Sequence, residues 1–273
     1  MHKEWRIKEN STHPAPLIEK LLAARGVTGE KDIEEVLNPL QTKLSNPNVF
    51  LDMPKCVERL AKAIDNNEKI VIYGDFDADG VTSTSLLYRT LTHLGANVNY
   101  FIPDREKEGH GLDSKALVKL MTSVKPKVII TVDCGISNVE EVNFLNSFKI
   151  DVIITDHHEA PEELPHAYAI INPKAPDALD ENLSTKEITS LTSLAGVGVA
   201  FKLAAAIEGE QETLLDQYCD FLCLGTVADV MPLTGENRTM VARGLKALEN
   251  PRRVGIAALM AECSVQKGPV TAG

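Results

Sequence analysis

The sequence contains no long hydrophobic run, and no uninterrupted apolar stretch approaches the roughly 18 residues that a membrane span requires. The amino terminus, MHKEWRIKENSTHPAP, is polar and has no apolar segment of the kind found in signal peptides. The chain has only five cysteines and no CxxC pair, which argues against a disulfide-based fold and indicates reduced thiols. We therefore expect a cytoplasmic protein with no membrane partner.

Positive charge is also scarce, because 28 Lys and Arg stand against 39 Asp and Glu, for a formal net charge of −11. A simple basic coat for nucleic acid is therefore excluded, since phosphate binding usually depends on a positive surface. Nucleic acid itself is not excluded, because carboxylates that bind metal cations would reverse the local field. The positions of the acids matter more than their sum.

The composition, with 44% hydrophobic and 25% charged residues, is that of a soluble globular protein. Three short β-branched runs predict buried strands, and two further segments are weaker candidates. These are 69–73, 127–132 and 151–155, with 97–102 and 167–171. Helical patterns alternate with them at 81–94, 114–121 and 137–148, and others follow at 197–207, 213–224 and 237–248. The alternation predicts an α/β fold with a mostly parallel sheet flanked by helices.

Both ends of the chain differ from this α/β part. The pattern before it predicts small helices at Pro16–Arg25 and Thr28–Leu37, followed by a helix over 52–66. The last residues contain no closing element, and we expect the natural protein to continue beyond Gly273. The predicted division is a helical N-terminal segment, a core and a tail: 1–50, 51–260 and 261–273.

Acidic residues and histidines follow three of the predicted strands, where each strand ends. The first strand leads into Asp75, Asp77 and Asp79, the second into Asp133, and the third into the run 156–158 (Asp-His-His). In an open parallel sheet, ligands bind in the crevice outside the carboxyl ends of the strands. We therefore expect these side chains to meet in one site.

Each motif has a structural alternative. The segment GDFDADG is also typical of a solvated turn, whereas an extended conformation would place its three acids on the same side. It resembles the start of an EF-hand loop, but Leu86 stands where that loop needs glutamate. Asp133 could cap the following helix, for which Ser137 is a competing cap. Three consecutive ligand-type residues at 156–158 favour metal or acid–base chemistry.

The expected donor set consists of hard carboxylates with one or two imidazoles and no thiolate. Such donors suit Mn²⁺ or Mg²⁺ better than structural Zn²⁺. With several carboxylates available, two metal ions a few ångströms apart are plausible, and two-metal sites catalyse phosphodiester hydrolysis.

Six sequence blocks carry a resemblance to a known family. GDFDADGVTSTSLL, TVDCGI and DHH resemble the DHH phosphoesterase superfamily, and PDREKEGHGL, LAGVGVAFKL and LGTVADVMPLTGENR narrow the resemblance to its RecJ family of single-strand-specific 5′-to-3′ exonucleases. The resemblance extends over roughly residues 5 to 260, with the blocks in order. It implies a Rossmann-like DHH core, to which a DHHA1 domain and an OB-fold would be joined in the full-length protein.

The resemblance also implies a set of metal ligands. Asp77, Asp79, His157 and Asp229 match ligands of the family, and Asp133 matches the acid expected to bridge two metals. Many members carry His where this chain has Tyr73, and the neighbouring Asp75 is the residue that could compensate. An unpaired exposed loop acid is the structural alternative for Asp229.

As implied by the resemblance, the cations would activate water for attack on the first phosphodiester of single-stranded DNA, releasing 5′-mononucleotides in DNA repair and recombination. Asp133, His158 and Arg105 are the catalytic candidates, although Arg105 could instead pair with a neighbouring glutamate. A helicase and a single-strand-binding protein are the implied cellular partners. The alternatives are a DHH phosphodiesterase for short oligonucleotides or cyclic dinucleotides, a pyrophosphatase, and a non-catalytic replication scaffold.

Overall fold

The computed structural model describes residues 17–106, 109–265 and 268–272, and the chain divides between Lys43 and Leu44 into two compact units. The first unit contains helices α1 (Leu17–Ala23) and α2 (Glu30–Leu37) and a short 3-10 helix, Pro39–Gln41. Both predicted helices of this region are confirmed, except that Pro16 lies outside the described residues. The predicted division at residues 50 and 260 stays a prediction.

The second unit is built on a five-stranded sheet in which every neighbouring pair is parallel. Its strands are β1 (Ile70–Gly74), β2 (Val98–Phe101), β3 (Val128–Val132), β4 (Asp151–Thr155) and β5 (Ala169–Ile171). Their spatial order is β2-β1-β3-β4-β5, so the direction of winding reverses between β1 and β3. A crevice forms at such a switch point, outside the carboxyl ends of the strands.

The described part of the second unit also contains nine α-helices, several of which pack on the two faces of the sheet. They are α3 (Met53–Asp65), α4 (Ala78–His93), α5 (Ser114–Ser123), α6 (Val139–Ser147), α7 (Thr185–Thr192), α8 (Gly196–Glu208), α9 (Gln211–Ala228), α10 (Gly235–Leu248) and α11 (Val254–Glu262), with a 3-10 helix at Pro47–Val49. The predicted α/β fold is confirmed. Two helices, α7 and α11, were not predicted from the sequence.

Both faces of the sheet are covered, which explains why its central strands are unbroken apolar runs. In β1, Ile70 and Ile72 pack into a core shared with α3, α4 and α8, whereas Val71 and Tyr73 face a second core shared with α5 and α6. The first ten residues of α8 are all buried, as expected for a helix that is apolar on every side except at Lys202.

Among the described helices, none is by itself long and apolar enough to cross a membrane. Helices α7 and α8 reach that length and composition only as a pair bent by 110°.

Candidate metal centre

The acids after β1 lie in a tight turn that leads directly into α4. Asp77 is the N-cap of this helix, and its Oδ1 accepts hydrogen bonds from the N–H groups of Asp79 and Gly80, each at 2.9 Å. Asp79 already belongs to the first helical turn, so the three acids do not lie on one extended segment. Gly80 is required here, because a Cβ atom would lie 2.4 Å from the carbonyl oxygen of Asp75.

Asp133 follows β3 in a left-handed backbone conformation, with φ of +59°, and its side chain is almost fully buried. Asp and Asn tolerate this conformation better than most residues. Helix α6 begins only at Val139, with Asn138 as its N-cap. The alternatives in which Asp133 or Ser137 caps α6 are therefore wrong, and the Asp133 carboxylate is left to face the crevice.

Asp156 organises the histidine pair that follows β4. Its Oδ2 accepts the N–H of Ile136 at 3.0 Å, and its Oδ1 accepts the backbone N–H groups of His157 and His158. Nδ1 of His158 lies 2.8 Å from the same Oδ1. This hydrogen bond to Asp156 is the main cause that raises the pKa of His158 to about 9, so we expect the imidazole to be positively charged at neutral pH.

His157 is the centre of the acidic cluster. Its Nε2 lies 3.1 Å from Oδ1 of Asp133, 3.6 Å from Oδ2 of Asp229 and 3.8 Å from Oδ2 of Asp79. Asp229 is the C-cap of α9, and its side chain is only 26% exposed. The acid after α9 is therefore not an isolated loop acid, since it points toward a buried histidine.

The candidate ligands form three groups that share members, and within each group the ligand atoms lie within 4.8 Å of one another. The groups are Asp75, Asp77 and Asp133; Asp133, His157 and His158; and Asp79, His157 and Asp229. All six acids and histidines predicted as metal ligands belong to these groups, together with His158. Asp133 is shared by two groups, as an acid between two metal ions would have to be.

The electrostatics of the cluster are unfavourable without a cation. Burial, followed by the negative charge of Asp77, raises the pKa of Asp133 to about 9, and burial and Asp133 raise the pKa of Asp79 well above its usual range. Burial lowers the pKa of His157, so its positive charge is suppressed as well.

Several ligand atoms at the centre of this cluster are also unsatisfied. Among the described residues, four buried atoms of the cluster make no hydrogen bond: Oδ1 of Asp133, Nδ1 and Nε2 of His157, and Oδ2 of Asp229. Buried polar atoms left without a partner are destabilising by about 1–3 kcal/mol each. A divalent cation would satisfy these atoms and offset the repulsion between the carboxylates, so the residues present fit a metal site.

Arg105 is not part of the three groups. Its guanidinium carbon lies 5.3 Å from the centroid of the Phe76 ring, which also packs against the His110 ring at 4.5 Å. Nδ1 of His110 is 3.5 Å from Oδ2 of Asp75, so this stack borders the acidic cluster. The predicted catalytic role of Arg105 stays a prediction. Glu108, one of its alternative partners, lies outside the described residues.

Tyr73 does not join the cluster either. Its ring is buried on the face of the sheet covered by α5 and α6, 5.2 Å from the Phe101 ring. The Tyr73 hydroxyl accepts the N–H of Asp113 at 3.2 Å. Asp75, by contrast, does belong to a group, and its compensating role stays a prediction.

Sequence analysis missed the contact of α8 with the acids. The N–H of Gly196 donates to Oδ2 of Asp79 at 2.6 Å, and the N–H of Val197 donates to Oδ1 at 2.8 Å. The two partners are more than a hundred residues apart in the chain, so no local pattern indicated this contact.

The fold and the site define an α/β protein with a candidate divalent-cation centre at the switch point of a parallel sheet. This chain belongs to the DHH family, whose N-terminal domain matches residues 69–226. The resemblance found in the sequence is thereby confirmed at the level of the family.

The relatives are RecJ exonucleases. The chain is 42% identical over 251 residues to the single-stranded-DNA-specific exonuclease RecJ of Bacillus subtilis, covering 91% of this chain and 30% of that protein. Identity to the Escherichia coli RecJ is 36% over 271 residues, covering 93% and 44%. The chain therefore spans less than half the length of these relatives.

Two solved structures are similar to this one. A RecJ exonuclease bound to manganese superposes with a TM-score of 0.69 at 31% sequence identity, over 84% of this chain and 56% of that one. The RecJ of Thermus thermophilus in complex with Mn²⁺ superposes with a TM-score of 0.68 at 29% identity, over 88% and 33%.

Proposed function

We propose that this chain is the catalytic part of a metal-dependent exonuclease that degrades single-stranded DNA from its 5′ end and releases 5′-mononucleotides, in DNA repair and recombination. The observation that carries the proposal is the set of buried, unsatisfied ligand atoms around His157 and Asp133. The names of the RecJ relatives and the manganese in their structures support it.

The proposed cofactor is a pair of Mn²⁺ or Mg²⁺ ions. Asp75, Asp77 and Asp133 would hold one ion, and Asp79, His157 and Asp229 the other. Asp133 would lie beside both, because its Oδ1 is 3.1 Å from Nε2 of His157. When bound, such a pair acidifies a water molecule and stabilises charge on the phosphate. Carboxylate and imidazole donors favour these ions over softer ones.

The chain's own residues would bind and orient the scissile phosphate. The hydrogen bond to Asp156 raises the pKa of His158 to about 9, and the side chain is 56% exposed, so it can reach an anionic phosphate from the edge of the cluster. Arg105, exposed above Phe76, is the second proposed donor to phosphate oxygen. Preorganised donors of this kind contribute most where negative charge develops in the transition state.

The test is digestion of four substrates, each with and without Mn²⁺. They are a 5′-labelled single strand, a duplex that carries the same 5′ label, a 5′-labelled dinucleotide and an unlabelled cyclic dinucleotide. We expect Mn²⁺-dependent release of the labelled mononucleotide from the single strand only. Faster turnover of the dinucleotides would favour a phosphodiesterase for short substrates. Binding of single strands with no product from any substrate would favour a non-catalytic scaffold.

A helicase and a single-strand-binding protein as partners rest on the resemblance to the RecJ family, and the cytoplasmic location stays a prediction. Affinity capture from cell extract with the full-length protein tests the partners. Loss of both proteins from the captured fraction after nuclease treatment would show that DNA bridged them.

A further inference from the structure

The amino terminus of α8 contacts the metal centre at Asp79. Both oxygens of the Asp79 carboxylate accept backbone N–H groups there, from Gly196 at 2.6 Å and Val197 at 2.8 Å. The positive end of the helix dipole therefore faces an acid, which partly offsets the negative charge of the cluster. These two bonds also set the plane of the carboxylate, and so the direction of its remaining lone pairs.

This approach is possible only because residue 196 has no side chain. A Cβ atom on Gly196 would lie 2.7 Å from Cβ, 2.7 Å from Oδ1 and 2.9 Å from Cγ of Asp133. Those distances are far below a normal contact, and Asp133 is held in its strained conformation at the end of β3. The same glycine thus donates to one candidate ligand and leaves space for another.

A second glycine, Gly225 in α9, also has no space for a side chain beside the acids. A Cβ atom on Gly225 would lie 2.7 Å from Oδ1 of Asp79, 2.5 Å from Oγ1 of Thr82 and 2.8 Å from Cγ1 of Val197. Helices α4, α8 and α9 therefore meet at Asp79 with no room for one more carbon atom. Asp229 lies at the end of the same helix, 3.6 Å from Nε2 of His157.

We propose that Gly196 and Gly225 are positioning residues of the metal centre: Gly196 sets the positions of Asp133 and Asp79, and Gly225 sets that of Asp79 against α8. Groups that orient metal ligands typically contribute 10- to 100-fold in metal affinity. This inference rests on the proposed function, since it requires that the acids bind metal.

Three alanine variants test it. Gly196→Ala adds a methyl group too close to Asp133, and Gly225→Ala adds one too close to Asp79. Gly198→Ala is the matched control in α8, the helix that contains Gly196. The three atoms nearest to a Cβ on Gly198 would all belong to Leu194, with Cδ2 at 3.1 Å, Cβ at 3.3 Å and Cγ at 3.6 Å, and none of them to an acid. Alanine also has the higher helix propensity, so lost propensity cannot explain a defect.

The measurements are Mn²⁺ binding by calorimetry, the shift in melting temperature that Mn²⁺ causes, and hydrolysis of a 5′-labelled single strand. We expect Gly196→Ala and Gly225→Ala to fold and to bind Mn²⁺ about 10- to 100-fold more weakly. Gly198→Ala should bind like the wild type. A purely structural role would lower the melting temperature of the metal-free protein and leave Mn²⁺ affinity unchanged.

The outcomes separate this inference from the proposed function. If the wild-type chain binds no Mn²⁺, the proposed function fails. If the wild type binds Mn²⁺ and folded Gly196→Ala and Gly225→Ala bind it equally well, the positioning role is overturned. Failure of both variants to fold also counts against it, because the glycines would then serve the folding of the core, whatever the metal.

Discussion

Oδ1 of Asp133 and Nε2 of His157 lie 3.1 Å apart, although they follow different strands of the sheet. The register of β3 and β4 produces this contact, since Val132 is paired with Thr155 and the two strands end at the same level. The turn at Asp133 and the hydrogen bonds of Asp156 then direct both side chains into the crevice. The centre therefore depends on strand register rather than on proximity in sequence.

Asp133→Asn should abolish hydrolysis without harming the fold. Asparagine has the same shape and tolerates the left-handed backbone at this position, but it removes the charge shared by two ligand groups. We expect the Mn²⁺-dependent rate to fall about a thousandfold, comparable to the loss of a key electrostatic group. The melting temperature of the metal-free protein at pH 8 should rise, because Asp133, with a pKa of about 9, must take up a proton on folding at this pH and asparagine need not.

Asp177→Asn is the matched control for that change. Asp177 also has a positive φ, +51°, but it is exposed and belongs to none of the ligand groups. Its rate and its melting temperature should equal those of the wild type. Near-normal hydrolysis by a folded Asp133→Asn protein would contradict the role of Asp133 between two cations.

The metal-free protein should become less stable as the pH rises from about 4 to about 9. In the unfolded chain an aspartic acid loses its proton near pH 4, whereas in the folded chain the pKa of Asp133 is about 9. Between these values the unfolded state binds fewer protons, so the free energy of unfolding falls with pH. The raised pKa of His158, about 9, acts in the same direction above about pH 6.5, where an unfolded histidine loses its proton, whereas the lowered pKa of His157 acts in the opposite direction below that pH.

Melting in EDTA at pH 5.5 and 8.5 checks this prediction, and the lower pH should give the higher melting temperature. Asp133→Asn should reduce the difference. Added Mn²⁺ should stabilise more at pH 8.5, since metal ligands must be deprotonated to bind. If the metal-free protein were more stable at pH 8.5 than at pH 5.5, the raised pKa values of the buried acids would be contradicted.

The strand ends could be predicted from sequence because each of the main strands is a short β-branched run followed directly by acids or histidines that are candidate ligands. Asp133 and Asp156 follow their strands immediately, so a parallel sheet was enough to bring them together. The spatial order of the strands could not be predicted, because it depends on which helices cover each face.

Helices α7 and α11 were not predicted from the sequence, for different reasons. Helix α7 is short and largely polar, yet its capping box, Ser184 with Glu187, was a visible start signal that sequence analysis did not use. Helix α11 has no polar face, so its pattern lacked the helical period. The contact between Asp79 and Gly196 has no sequence signal, since it exists only once α8 has packed against the sheet.

Val230→Gly should stabilise the protein. Val230 has φ of +57°, is 86% exposed, and follows the C-cap of α9, so a β-branched side chain is strained there without packing in return. Relief of about 1–2 kcal/mol of strain, less the entropic cost of glycine, leaves a gain of about 1 kcal/mol. Urea unfolding at constant m-value measures it.

Lys149→Gly is the control for the backbone effect. Lys149 has φ of +58° just after α6 and is exposed, but its side chain is not β-branched. Its gain in the free energy of unfolding should be smaller than that of Val230→Gly. An equal or larger gain would show that the branched side chain adds nothing to the strain.

A buried ion pair joins α8 and α10. Nζ of Lys202 lies 2.6 Å from Oε2 of Glu236 and donates to the carbonyl oxygen of Ser45 at 2.8 Å, while Oε1 of Glu236 accepts the N–H of Ser45 at 3.0 Å. Lys202 is fully buried, and burial lowers its pKa.

Lys202→Met should lower the free energy of unfolding by about 3–5 kcal/mol, because it leaves the Glu236 carboxylate buried without a cation. In the double variant Lys202→Met/Glu236→Leu both charges are gone, so most of that loss should be recovered, since an apolar pair of similar volume is often as stable as a buried ion pair. Urea unfolding of the two single variants and the double variant gives the coupling energy between the residues. Additive losses would mean that each side chain stabilises the core by packing alone and that the pair contributes no interaction of its own.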